Sequence, residues 1–214
     1  MKSFLLIILA FSTFVCFSQR YQNTIYEIAF TGTGFLPSFT PEEKGFSVEP
    51  GAGYGFGIST KIIRHNYPEI RFSHEGGKIS DNQGNSAEYG FSSLDLLPLN
   101  YKLKVPVFNI RCKEKIIGYL NLGGGYRINF DPSAKITGFD NMKSKSGFEF
   151  NAAIGFYKYN NQSPTEFHTE FFYTMFPGNS ISLKKGDITT GFVETAIGVK
   201  IMFLLHTRFK YADM

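Results

Sequence analysis

What the chain lacks already narrows its class. Its 214 residues include no tryptophan and only two cysteines. Beyond the N-terminus there is no stretch of about 18 apolar residues, the length that a membrane-spanning helix needs, so the sequence excludes helical spans. The net charge of +4 is too small to indicate a nucleic-acid partner. The four histidines are scattered and no glycine-rich loop leads into a helix, so we expect neither a metal nor a cofactor.

The one long apolar run lies at the N-terminus and predicts a secretory signal peptide. It covers residues 4–15, follows Lys2, and ends at Cys16-Phe17-Ser18, with small residues at alternate positions. We expect cleavage after Ser18, so that residues 1–18 are removed and residues 19–214 form one domain. A lipoprotein lipidated on Cys16 is the alternative, although the residues before that cysteine are large. Only Cys112 then remains, so no internal disulfide can form.

The clearest pattern in the mature chain is a period of two over residues 45–63. The even positions from Phe46 to Ile62 are apolar or aromatic except Thr60, whereas the odd positions from Ser47 to Lys61 are small, polar or charged. This period places alternate side chains on opposite faces of a β-strand. The run exceeds the roughly five or six residues of a soluble strand and suits the about 9–11 residues of a strand that crosses a bilayer.

Seven further segments alternate in the same way. The sequence therefore predicts eight strands, at about residues 24–35, 45–63, 66–75, 89–104, 115–130, 147–159, 165–176 and 191–205. In the fourth, the apolar row changes phase near Leu96-Leu97 and continues as Leu97, Leu99, Tyr101 and Leu103. A β-bulge near Pro98 would account for the change, because proline cannot donate to the ladder. We expect an all-β fold, namely an eight-stranded antiparallel transmembrane up-and-down β-barrel, in which closure leaves no strand edge in lipid.

The predicted connections alternate in length, which predicts the orientation of the barrel. The first, third, fifth and seventh, at residues 36–44, 76–88, 131–146 and 177–190, are long and polar, and the others are shorter. Barrels of the bacterial outer membrane have short periplasmic turns and longer extracellular loops. We therefore expect an outer-membrane location with both termini in the periplasm and the four long loops outside the cell.

The polar row of each predicted strand should face the interior of the barrel. Eight strands leave space only for side chains, and buried charges need partners, so we expect an ion-paired, water-containing plug and no open pore. Glycines on this row, such as Gly53 and Gly57, would make room for long neighbours. The expected interior polar network comprises Glu27, Glu49, Glu69, Arg71, Lys102, Lys104, Arg127, Glu149, Glu166, His168, Glu170, Glu194 and Lys200, with Glu75 on the same row.

Two segments resemble a known family. Residues 94–102, Leu-Asp-Leu-Leu-Pro-Leu-Asn-Tyr-Lys, and residues 119–125, Tyr-Leu-Asn-Leu-Gly-Gly-Gly, are similar to successive strands of the PorT-like outer-membrane β-barrel family of Bacteroidota. Residues 148–159 resemble the next strand of that family, and Ser18-Gln19 resembles signal-peptide sites common in the phylum. The resemblance implies an eight-stranded outer-membrane barrel. A few members of the family support type IX secretion, but no residue of this chain specifically marks that role.

The residues leave several functions open. The lack of a convincing catalytic constellation favours a monomeric structural or interaction protein that contacts outer-membrane lipid and lipopolysaccharide and uses its extracellular loops for an envelope partner. A component of an envelope machine such as type IX secretion is a second reading. A lipid-modifying enzyme would draw on residues 73–75 or 168–170, but Ser73 and His74 are adjacent on a strand and point to opposite faces. A secreted lipocalin-like barrel would instead turn its apolar row inward around a ligand.

Overall fold

The computed structural model describes residues 25–62, 65–105, 110–111, 115–159 and 165–208. The predicted signal peptide and Cys112 lie outside the described residues. In the described part of the chain, no helix is long and apolar enough to cross a membrane. The same part forms eleven β-strands: β1 (Ile25–Pro41), β2 (Phe46–Thr60), β3 (Glu69–Asp81), β4 (Ser86–Lys104), β5 (Ile110–Arg111), β6 (Lys115–Asn129), β7 (Ser133–Thr137), β8 (Asn141–Ser144), β9 (Gly147–Tyr159), β10 (Thr165–Lys185) and β11 (Ile188–Arg208).

Eight of these strands close into a ring. The order is β1-β2-β3-β4-β6-β9-β10-β11, every pair is antiparallel, and β11 pairs back with β1 from Arg208 opposite Ile25 to Phe192 opposite Pro41. The short strands β5, β7 and β8 add to β6, β4 and β10. Closure pairs the two strands that would otherwise be edges. The prediction of an all-β, eight-stranded, antiparallel up-and-down barrel is therefore confirmed.

The strands continue past the ends predicted from the sequence, which corrects the four long loops. β1 reaches Pro41, β3 reaches Asp81, and β10 pairs with β11 as far as Lys185 opposite Ile188. Most of residues 36–44, 76–88 and 177–190 thus lie in the barrel wall, and β7 and β8 occupy much of 131–146. Tight turns remain, in which Gly45, Gly84, Gly138 and Gly186 have positive φ, a conformation that glycine adopts without strain.

The strands were predicted too short because their hydrophobic pattern inverts along the way. In β3 the buried inward residues change from Glu69 and Arg71 to Ile79, whereas the outward residues change from Ile70 to Lys78. The strand itself is continuous across this change. An interpretation that follows one apolar row therefore ends the strand where the row crosses to the other face.

Register shifts in the β4–β6 and β2–β3 ladders displace the rows further. The β4–β6 ladder shifts register between Leu96 and Leu99, as the proline at position 98 predicts. However, Leu97 is 1% exposed and faces the interior, whereas the sequence interpretation placed it on the apolar outer row. The β2–β3 ladder shifts between Pro50 and Gly53. Both shifts change which side chains enter the barrel.

The outer wall is apolar around the half of the barrel that holds the chain termini. Exposed apolar side chains on this wall include Ile28, Phe30, Tyr54, Phe56, Ile58, Ile70, Leu99, Leu122, Phe150, Phe171, Ile197 and Ile201. Water-soluble proteins rarely expose so large a contiguous apolar surface. A wall of this kind suits contact with hydrocarbon, with the charged side chains turned to the interior.

Candidate functional site

The middle of the barrel is filled by two arginines and the carboxylates around them, here called the arginine layer. Asp95 on β4 lies directly opposite Arg71 on β3 and Arg127 on β6, and directly paired residues share one face of a sheet. Asp95 accepts hydrogen bonds from Arg71 Nε at 2.7 Å and from Arg127 Nε at 2.8 Å. Across the interior, Glu149 meets Arg71 Nη2 at 2.6 Å, and Glu194 meets Arg127 Nη1 at 2.8 Å.

Arg127 is the most heavily engaged cation of this layer. Besides its two short contacts, it lies 3.5 Å from a second oxygen of Glu149 and 3.7 Å from Glu75. Its guanidinium carbon lies 3.9 Å from the centre of the Phe176 ring. Two guanidinium groups therefore face four buried carboxylates, those of Glu75, Asp95, Glu149 and Glu194. These ion pairs hold the two arginine side chains and the carboxylates in fixed positions across the interior.

A second layer, here called the lysine layer, lies nearer the termini and is balanced in charge. Lys200 Nζ donates to Glu69 at 2.8 Å and lies 3.5 Å from Glu170. Lys102 Nζ lies 3.8 Å from Glu170 and stands 4.6 Å above the centre of the Tyr67 ring. Two ammonium groups thus meet two carboxylates. Because every member is buried, the pairing is what makes the desolvation of these charges tolerable.

Neutral polar groups complete the lysine layer. Tyr119 donates to Glu170 at 2.9 Å, and Asn121 donates to the same carboxylate at 3.2 Å. His168 lies against Tyr119 with Nδ1 at 3.2 Å from the hydroxyl, and its ring stacks on Tyr157 at 4.5 Å with 5° between the planes. His168 Nε2 also lies 3.1 Å from Glu166. The histidine is thus held at both nitrogens and stacked on one face within a packed cluster.

The end of the barrel opposite the termini contains an apolar core. Its buried members are Phe39, Ile79, Ala87, Tyr89, Phe91, Phe139, Met142, Ile181, Leu183 and Phe192, and Phe46, Val48 and Ile136 pack against it. Edge-to-face ring contacts join Phe39 with Tyr89 at 5.7 Å and Phe46 with Phe192 at 5.5 Å. The interior is therefore filled by ion pairs in its middle and by close-packed apolar side chains at this end.

Most of the residues expected in the interior polar network lie inside the barrel. Buried positions are occupied by Glu27, Glu69, Arg71, Glu75, Lys102, Arg127, Glu149, His168, Glu170, Glu194 and Lys200. Glu27 lies at the end near the termini, 2.6 Å from Lys61, and accepts from Tyr67 at 2.7 Å. Glu166 is half-buried beside His168.

Two members of the expected network are exposed. Glu49 is exposed because the bulge between Pro50 and Gly53 reverses the phase of β2, so that Phe46 and Val48 turn inward instead. Lys104 is exposed because it is the last residue of β4, where the wall ends, and its ammonium group stands 5.8 Å from the centre of the Tyr157 ring. Glu49 thus lies outside the ion-paired interior, whereas Lys104 lies on the inward row, opposite the buried Tyr119, at the rim of the barrel.

The sequence interpretation missed Asp95, the carboxylate that joins the two arginines. The residue precedes the phase change at Pro98, so its face depends on where that change is placed. In the structure, Asp95 shares one row of β4 with Ser93 and Phe91, and all three are buried. Contacts across the lumen, such as Arg71 with Glu149, carry no signal in the sequence.

The serine and histidine that an acyl hydrolase would need do not assemble as a triad. Ser73 faces the interior, where its hydroxyl lies 2.7 Å from that of Ser93. His74 faces outward, and its Nδ1 lies 3.0 Å from the hydroxyl of Ser92 on the neighbouring strand. Among the described residues, no carboxylate bonds to His74, so the acid that orients the histidine of a triad has no counterpart there. The described residues also contain no group of three potential ligands that could hold a metal ion.

Comparison with known proteins supports the fold. No protein-family model and no curated protein sequence matches the chain. The structure is similar to that of the outer membrane protein OprG from Pseudomonas aeruginosa, with a TM-score of 0.55 and 14% identity over 87% of this chain and 98% of that one. Neisserial surface protein A aligns with a TM-score of 0.45 and 10% identity over 85% and 98% of the two chains. The outer membrane protein AlkL aligns with a TM-score of 0.45 and 14% identity over 92% and 96%.

The likeness to OprG shows that this chain has the fold of a small outer-membrane β-barrel. Because the identity is low, the likeness concerns the fold alone. The resemblance of residues 94–102 and 119–125 to the PorT-like family is not matched by any family model and stays a prediction.

Proposed function

We propose that this chain is an integral outer-membrane protein that forms no open pore and acts through its extracellular end, as a monomeric structural or interaction protein. The observation that carries the proposal is the filled interior. The arginine layer, the lysine layer and the apolar core follow one another along the barrel, which supports an interior without a continuous path for solutes. A barrel without a pore or a catalytic constellation offers its outer surface and its exposed turns for function.

The outer wall and the topology support the membrane location and the orientation. The apolar wall around the terminal half matches the apolar band of membrane barrels, and eight strands bring both termini to one end. The opposite end carries β7, β8 and the extended hairpins. By the usual rule for such barrels, the termini lie in the periplasm and the extended end lies outside the cell.

The absence of a pore is tested by electrical recording. Purified protein reconstituted into planar bilayers should show no stepwise conductance, because the ion pairs and the apolar core block the lumen. Parallel samples should show a heat-modifiable band on gels, which confirms that a folded barrel was inserted. Sustained unit conductance from folded protein would contradict the proposal.

The orientation is tested with epitope tags on intact cells. A tag in the turn at residues 82–85 should be labelled from outside, whereas a tag after the C-terminus should be labelled only once the outer membrane is opened. Surface labelling of the C-terminal tag would reverse the orientation.

The interaction role is tested with a photo-crosslinking residue at Asp187, which is exposed in the turn between β10 and β11. The matched control replaces Phe148, which is 67% exposed on the outer wall and should crosslink to lipid. An envelope protein captured from Asp187 but not from position 148 would identify the partner. Capture of secretion proteins together with a secretion defect in a deletion strain would specify an envelope-machine role, and no capture would argue against a protein partner at this turn.

A further inference from the structure

One patch of the outer wall combines cations, hydroxyls and a side-chain-free notch. It lies on β3, β4 and β7 and is here called the interface patch. The patch consists of three rows of directly paired residues, namely His74–Ser92, Gly76–Gly90–Ser133 and Lys78–Glu88–Lys135. Directly paired residues share a face of the sheet, and this face is the outward one, because Ala87 and Ile136 on the other face belong to the apolar core.

The interface patch lies at the upper boundary of the apolar wall. Two residues before His74 on β3 the outward side chain is Phe72, and before that it is Ile70, which is half exposed. The Tyr54 ring packs beside the imidazole of His74 with 5.6 Å between ring centres. Aromatic side chains typically mark the interface of membrane barrels. From this row to the lysine row the chain advances four residues, about 13 Å along the strand at 3.3 Å per residue, which brings the lysines beyond the edge of the hydrocarbon.

The glycine row forms a shallow notch bordered by hydrogen-bonding groups. A Cβ built on Gly90 would lie 3.6 Å from His74 Nε2 and 3.7 Å from Ser133 Oγ, so both groups edge the space that glycine leaves free. His74 Nδ1 is engaged by Ser92 at 3.0 Å, which turns Nε2 toward the notch. Ser133 donates to the carbonyl oxygen of Gly90 at 3.1 Å, and this bond fixes its position.

Two lysines supply positive charge above the notch. Lys78 and Lys135 are exposed, and neither ammonium group forms an ion pair within the described residues, in contrast to Lys185, which is held by Asp81 at 3.3 Å. Glu88 is paired between them in the sheet. With strands about 4.8 Å apart, the two lysine backbones are about 10 Å apart, and their long stems can bend away from Glu88 toward the membrane boundary.

We propose that the interface patch binds the phosphate groups of a lipopolysaccharide-type glycolipid in the outer leaflet. The ammonium groups of Lys78 and Lys135 and the imidazole of His74 donate to phosphate oxygens, while the acyl chains lie on the apolar wall below. Charge-assisted hydrogen bonds of this kind are among the strongest available at an interface. The inference rests on the proposed membrane location and orientation, and it names the lipid contacted by one specific part of the wall.

The test measures lipid retention by native mass spectrometry of the purified full-length protein in detergent. The probes are lipid A with its phosphates, the same lipid A after phosphatase treatment, and phosphatidylglycerol. Wild-type protein should retain phosphorylated lipid A at least tenfold more strongly than the dephosphorylated form. The K78Q/K135Q double variant should lose at least tenfold in retention, K78R/K135R should retain it, and K44Q, which removes an exposed lysine in the turn before β2, should behave as wild type.

The inference is overturned if wild-type protein retains both forms of lipid A equally, if the double variant binds as wild type, or if phosphatidylglycerol competes as well as lipid A. Heat modifiability of every variant shows that the barrel has folded. The two proposals fail in different experiments. Conductance by the wild-type protein would refute the proposed function without changing the lipid-retention measurements, which test the interface patch alone.

Discussion

Removal of the guanidinium group of Arg127 should strongly destabilise the barrel. The substitution Arg127→Met keeps an unbranched side chain that can still contact the Phe176 ring, but it removes the donor of two short ion pairs. Those pairs join Arg127 to Asp95 and to Glu194, each at 2.8 Å. Because all of these carboxylates are buried, the variant leaves them without the charge that offsets their desolvation.

The expected loss follows from the number of contacts. Breaking one buried pair by removing one partner costs about 3–5 kcal/mol. Here one residue serves two short pairs and two longer contacts, with Glu149 at 3.5 Å and Glu75 at 3.7 Å. After the substitution Arg71 alone would face four carboxylates. We therefore expect a loss near the upper end, about 4–5 kcal/mol, which is a large fraction of the roughly 5–15 kcal/mol that stabilises a typical domain.

The measurement is a urea titration of refolded protein in lipid vesicles. Far-ultraviolet circular dichroism and the heat-modifiable gel band report folding, since the chain has no tryptophan. Arg127→Lys keeps a charge and should lose less, and adding Glu194→Gln to Arg127→Met should recover part of the loss by removing one unpaired carboxylate. Lys44→Met provides an exposed control. If Arg127→Met unfolds within about 1 kcal/mol of wild type, as ordinary surface substitutions do, the arginine layer does not stabilise the barrel as argued.

Three further substitutions, one of them a control, probe packing and pH dependence. Gly155→Ala should lower the free energy of unfolding by about 1–3 kcal/mol, because its Cβ would overlap the Tyr119 ring. Gly32→Ala, whose Cβ would meet nothing within 4 Å, should change it little in the same urea titration. Desolvation acts to raise the pKa of Asp81, but hydrogen bonds, led by the Asn85 side chain, outweigh it and lower the pKa from 3.8 to about 2. The turn should therefore keep its full stability above pH 4 and lose it as the pH falls through 2, and Asp81→Asn should abolish this dependence in hydrogen exchange of residues 81–85.

The strand count and the inward position of most charges could be predicted from the sequence because both follow from a local period of two. All eight ring strands overlap segments predicted from that period, including 147–159, which coincides with β9. The predictions failed where one local row is insufficient. Glu49 was placed inside because the alternation of apolar and polar residues in β2 continues unbroken past the bulge after Pro50. Leu97 was placed outside because the phase change was assigned before this residue, whereas the register shift lies between Leu96 and Leu99.

The ion pairs that cross the lumen could not be predicted from the sequence. Arg71 and Asp95 are neighbours in the ladder, so their contact follows once the register is known. Arg127 and Glu194 lie on strands that are not adjacent in the ring, and their contact depends on barrel curvature and side-chain length. The sequence therefore predicts a charged lumen but not which carboxylate each arginine holds.

The inversion of the hydrophobic pattern explains why this barrel has two kinds of interior. Where the wall faces hydrocarbon, the outer row must be apolar, so polar residues such as Arg71 can only be accommodated inside, in pairs. Where the wall rises into water, the outer row becomes polar at Lys78 and Glu88, and the inner row is free to form an ordinary apolar core at Ile79 and Ala87. The change on β3 and β4 thus marks the membrane boundary from the sequence itself. It falls at the same level as the interface patch, where a lipid phosphate would lie.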